Sequence, residues 1–132
     1  MKVLSAVIML VAFVCACVLF LGIVPLYARE VESPAKRTLS KILNAVEDND
    51  YDSFVEDGTA EFKAGLTKQM LQGVSQQLSS RMKAGYETYY LGQLNQQGCK
   101  VHLWKLVYKD GGDDTLAKLA LKENKAGGFW LQ

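Results

Sequence analysis

The sequence is poor in the residues from which chemical sites are usually built. It has one histidine, three cysteines and two prolines in 132 residues. A lone His102 excludes a zinc site built on paired histidines, and with no Gly-x-Ser-x-Gly, phosphate loop or dinucleotide glycine fingerprint the common nucleophile and nucleotide signatures are missing as well. Cys15 and Cys17 sit inside an apolar run, which leaves Cys99 alone and without an internal disulfide partner. There is no Asn-x-Ser/Thr sequon. Two prolines and 11 glycines rule out collagen-like and low-complexity classes, and a hydrophobic fraction of 49% rules out a disordered chain.

Charge is missing altogether from Val3 to Tyr27 and is balanced elsewhere. Setting aside residues 1–28 removes only Lys2, leaving 14 basic residues against 14 acidic ones. A neutral domain with no basic stripe gains little from counterion release, so no nucleic-acid partner is expected.

The uncharged run is long enough to cross a bilayer, because about 20 residues at helical rise span the hydrocarbon core while a secretory signal needs only about 7–15 apolar residues. Length therefore favours an uncleaved anchor through residues 3–27. Pro25 and the small Ala28 offer the competing reading, a signal peptide cleaved after Ala28. Lipoprotein processing at Cys17 is disfavoured by the apolar residues that follow it. Arg29, Lys36, Arg37 and Lys41 beyond the run lean against export by the positive-inside rule, yet Glu30 and Glu32 lie among them. The expected location is membrane-anchored facing the periplasm or cell exterior, or the envelope if cleaved.

Residues 29–33 read as a linker, and residues 34–132 as a single domain. Ser33-Pro34 supplies an N-cap and a first-turn proline, and Leu39, Ile42, Leu43 and Val46 recur at helical spacing up to the Asn49-Asp50 stop. A short helix is expected from about Asp50 to Glu56, ended by Gly58, followed by a turn at Thr59 containing Phe62. Thr67 opens a third helix to about Met82, with Met70, Val74, Leu78 and Met82 every fourth residue beside Leu71. After Gly85 the texture turns aromatic and β-favouring. Four strands are expected, from Tyr86, over Cys99–Lys109, over Asp114–Glu123 and at Phe129-Trp-Leu131, with turns at Gln97-Gly98, Asp110–Asp113 and Asn124–Gly128. Helices followed by a strand meander predict an α+β domain with three helices on one face of an antiparallel sheet.

Both faces of the second strand are apolar: Val101, Leu103 and Val107 alternate with His102, Trp104, Leu106 and Tyr108. The even-numbered set is read as the outer face, with Trp130, and needs cover by a curling sheet, a second subunit or a ligand. Met70, Met82, Trp104 and Trp130 are read as packing residues. The acids from Glu47 to Glu61 begin like a calcium loop at Asp48-x-Asp50-x-Asp52, but Ser53 replaces the required Gly and Thr59 the bidentate Glu, so helix capping by Asp50 is the reading.

The stretch Ala45-Val-Glu-Asp-Asn-Asp-Tyr-Asp-Ser-Phe54, with Phe62-Lys63, Leu66-Thr-Lys-Gln-Met-Leu71 and Gly128-Phe129, resembles the cystatin-like fold. Within it, the resemblance is to the nuclear-transport-factor-2-like superfamily and its small exported proteins carrying a domain of unknown function. It covers residues 34–132 and implies a curved cone without importing a reaction. Enzymes of that superfamily direct Asp, His or Tyr into the cone. Comparable strand groups here are His102, Tyr86, Tyr89, Tyr90 and Tyr108, with Glu87 the only strand carboxylate near them, and they match none of the catalytic sets.

The resulting expectation is a non-catalytic binding or assembly module without a cofactor. It would form a homodimer through the outer sheet face, with His102, Trp104, Leu106, Tyr108, Tyr90 and Trp130 as the pocket or interface residues. The alternative is a small-molecule site or enzyme built around His102 and the strand tyrosines. Intact mass of the protein from membrane and soluble envelope fractions tests the anchor: a full-length mass in the membrane is expected, and a species lacking residues 1–28 would show cleavage instead.

Overall fold

The computed structural model describes residues 32–132, and Glu32–Gln132 form one compact unit. The N-terminal apolar helix expected over residues 3–27 lies outside the described residues. Among those described, no helix is long and apolar enough to cross a membrane.

The domain opens with α1 (Pro34–Asp48), whose start is set by the Ser33 hydroxyl accepting from the Lys36 N–H at 3.2 Å. It ends where Asn49 turns left-handed at φ 54° and donates back to Ala45 and Val46. Then come α2 (Tyr51–Val55), capped by Asp50, α3 (Ala60–Gly65), capped by Thr59, and α4 (Lys68–Ala84), capped by Thr67. The segment at Phe62 is thus a fourth helix rather than a turn. It is too short to show periodicity, and the Thr59 hydroxyl accepting from the Phe62 N–H starts it.

Four strands follow, β1 (Tyr86–Gln96), β2 (Cys99–Tyr108), β3 (Thr115–Lys122) and β4 (Lys125–Leu131), paired antiparallel in chain order. The last hairpin is tighter than the glycines suggested. Glu123 and Asn124, both at positive φ, make the turn, so Lys125–Gly128 lie within β4. Bulges interrupt the ladder between Tyr90 and Gly92 and between Ala120 and Leu121. The β4 edge is met by the α2–α3 connection: Gly58 bridges Ala126, with the Thr59 N–H donating to the Ala126 carbonyl at 2.8 Å and the Ala126 N–H to the Asp57 carbonyl at 2.9 Å.

The α1 stripe lies on the sheet. Leu39, Leu43 and Val46 share one buried cluster with Leu106, Ala117 and Leu119. Trp104, Leu106 and Tyr108 belong to the same cluster, so the even-numbered residues of β2 face the helices. This reverses the face assignment made from alternation. Both registers of β2 are apolar, and what decides is that the larger side chains fill the space against α1.

Along α4 the buried residues are Leu71, Ser75 and Met82. Met70 and Val74 are 53% and 37% exposed, so the stripe of every fourth residue is buried only at its C-terminal end. That end is fastened by Arg81, whose Nε donates to Asp110 at 2.7 Å, whose second nitrogen reaches the Asp113 carbonyl at 2.9 Å, and whose guanidinium lies 3.9 Å from the Tyr108 ring centroid. Met70 and Trp130, read as packing residues, are both half exposed.

Leu39→Ala removes a fully buried side chain at the centre of this contact. Chemical denaturation should show a loss of about 3 kcal/mol with the denaturant slope unchanged.

Candidate functional site

The expected site residues separate into three places. Tyr90, His102 and Trp104 form a group on the helix-facing side of β1 and β2. The Tyr90 hydroxyl lies 3.2 Å from His102 Nδ1, the His102 ring stacks on Trp104 at 5.7 Å between centroids, and Tyr90 lies 5.4 Å from Trp104. Leu106 and Tyr108 lie further along β2 and are buried. The Tyr108 hydroxyl donates to Thr115 at 3.2 Å. Trp130 is on the opposite face, where it pairs across the ladder with Lys118 and carries the Lys118 ammonium 5.9 Å from its ring. Trp104, Leu106 and Tyr108 are therefore core side chains and not an accessible interface. Only Trp130 of that expected set stands on the outer face.

His102 is held by apolar and aromatic neighbours and a phenol, without a hydrogen bond to a carboxylate. Burial pushes its pKa below the ordinary imidazole value, and the nearby Lys100 ammonium pushes it further the same way. The ring is thus neutral at physiological pH. A neutral imidazole bonded to a tyrosine can accept or relay a proton, but nothing beside it is placed to be activated. It lines a depression of about 360 Å3 between the start of α1 and the two hairpins, together with Lys100, Gln93 and Glu123. Among the described residues no group of three or more His, Cys, Asp or Glu side chains is arranged to hold a metal. Cys99 is half-buried on the outer face, about 4.0 Å from where a side chain at Gly127 would begin.

The most apolar cavity lies elsewhere. A cleft of about 350 Å3 opens between α2, α4 and the β3–β4 side of the sheet, walled by Phe54, Leu66, Met70, Val74, Leu78 and Phe129. Its polar lining comes from Tyr51, Thr67, Gln77, Thr115 and Gln132. The depression lined by His102 is separate from it, and neither His102 nor Tyr90 borders this cleft. The sequence signal for it was the α4 stripe itself: Met70 and Val74 have the spacing of core residues, and they look into a space that the sheet does not fill.

The outer sheet face is the other unfilled surface. Tyr89, Leu94, Val101, Leu103, Leu116 and Trp130 share it by register, with Tyr89, Leu94 and Trp130 each about half exposed. Lys105 leans over Tyr89 at 5.4 Å and reaches Asp114 at 3.7 Å, so the cations lie along aromatic rings.

No family model and no curated protein matches the chain. Among solved structures it is similar to an uncharacterised cystatin-fold protein from Novosphingobium aromaticivorans, at 13% identity and a TM-score of 0.40, over 73% of this chain and 95% of that one. The described residues form an α+β arrangement of four helices and a four-stranded antiparallel meander.

His102 yields a pH prediction. Because its folded pKa is depressed, the unfolded chain binds the proton more readily in the window just below the ordinary value near 6.5, and stability there rises with pH. An NMR titration should place the His102 midpoint below that of an unfolded control, and Lys100→Glu should move it upward.

Proposed function

We propose that this chain is a non-catalytic binding and assembly module, carried to the outside of the membrane by its N-terminal segment, and that its outer sheet face pairs with the same face of a second copy. The observation that carries the reading is the outer face on which Tyr89, Leu94 and Trp130 stand about half exposed, with Leu103 and Leu116 partly exposed between them. Aromatic side chains such as Tyr89 and Trp130 are the residues that most often anchor such contacts.

Size supports it. Four strands about 4.8 Å apart and about eight residues long at roughly 3.4 Å each give a face of about 500 Å2 in projection. Side-chain relief raises the accessible area toward the ~800 Å2 that each partner contributes to a stable interface. A two-fold axis lying between the two sheets, parallel to their planes, would set the same patch against itself, which is the geometry of most homodimers. Two lysines share this face on the central strands, Lys105 over the Tyr89 ring and beside Asp114, and Lys118 over the Trp130 ring.

Placement in the nuclear-transport-factor-2-like superfamily is part of the same reading. It is supported by the pattern Glu47-Asp48 followed by Asp50-Tyr51 at the end of α1, and by Gly128-Phe129 in β4. The neutral His102, bonded to a phenol and lacking a carboxylate partner, favours binding over catalysis.

Sedimentation equilibrium of the purified protein should give a dimer, and Leu94→Asp and Trp130→Asp should each give a monomer with unchanged circular dichroism. Trp104→Asp should instead unfold the domain, since that side chain is 2% exposed. A wild-type monomer at 100 micromolar, taken as roughly a hundred times the dissociation constant of a modest interface, or a dimeric Leu94→Asp variant, would overturn the reading.

A further inference from the structure

We infer that the cleft between α2, α4 and the β3–β4 side of the sheet is a binding site for an amphipathic carboxylate, with the aliphatic chain inside and the carboxylate at Lys68. The site is separate from the sheet face on which the assembly reading rests.

Three observations fix the ligand class. No charged side chain lines the cleft, which suits an apolar occupant. The space of about 350 Å3 takes about ten methylene-sized groups at roughly 30 Å3 each. It is closed at its base by Val46, Phe54 and Leu71 of the core, whereas Met70 and Val74 form an accessible wall. A blind apolar space of this size suits one short chain better than a helix laid across it.

The rim supplies the sign of the charge. Lys68, the first residue of α4, holds its ammonium 5.8 Å from the ring centroid of Tyr51, and Tyr51 is part of the cleft wall. Tyr51 is itself fixed, its hydroxyl donating to the Leu66 carbonyl at 2.9 Å. Lys68 forms no ion pair among the described residues. A cation beside the wall of an apolar cleft is complementary to an anionic head on an aliphatic tail.

The test follows the methyl signals of Met70 and Val74 by proton–carbon NMR during titration with decanoate, decanol and decylammonium, each below its micelle concentration. Decanoate should shift both methyls saturably and bind more tightly than decylammonium. Lys68→Ala should weaken decanoate about fivefold, the scale of one exposed ion pair, and leave decanol unchanged. In Val74→Trp, with Met70→Trp as the second filling variant, the remaining probe methyl should respond to none of the three. Absence of a shift with every probe would overturn the site. So would decylammonium binding as tightly as decanoate, or titrations unaltered in both filling variants.

Discussion

Everything in this domain hangs on the contact between one helix and one sheet. Leu39, Leu43 and Val46 of α1 share one buried cluster with Leu106 and Leu119, and these five are the largest fully buried side chains among the described residues. For a domain of about a hundred residues that contact has to be dry and dense, because a small chain has little interior to spare. Once α1 is seated, the remaining helices can pack only around its flanks. α4 lies alongside it, and the short α2 and α3 carry Phe54 and Phe62, whose rings stack at 5.9 Å, to the open end.

The same arrangement explains why the molecule has two unfilled apolar surfaces and why they differ. The cleft lies where α4, which buries Leu71, Ser75 and Met82, leaves Met70 and Val74 exposed along its wall. The outer face exists because β2 and β3 carry apolar residues in both registers and only one register can meet the helices. A concave apolar cleft selects by volume. A broad flat face selects by matching another flat face, and its lysines bias orientation more than affinity.

Much of this was legible in the chain because local rules are written over three or four residues. Ser33, Asp50, Thr59 and Thr67 each accept from the N–H three positions on, and Asn49 takes the left-handed turn that ends α1. The aromatic run after Gly85 marked the onset of the sheet for a similar reason. What could not be read was which side of a strand looks inward when both sides are apolar. Trp104 and Tyr108 were assigned outward although they pack under the helices, and Trp130 stands outside because of where β4 pairs with β3. The start of β4 was hidden for another reason. Lys125, Ala126, Gly127 and Gly128 have little strand propensity, and pairing with β3 alone recruits them. His102 illustrates the limit for chemistry, since the burial that, with the Lys100 charge, lowers its pKa comes from surroundings that only the fold supplies.

Neither edge of the sheet is a clean template for another strand. Hydrogen bonds with Asp57 and Thr59 occupy the backbone of β4 at Ala126, and on the other side β1 carries the bulge between Tyr90 and Gly92 that breaks its run. Growth by strand addition needs a continuous ladder to pair with, and an edge that is partly covered or bulged interrupts it. The topology therefore works against open-ended fibre growth along either edge.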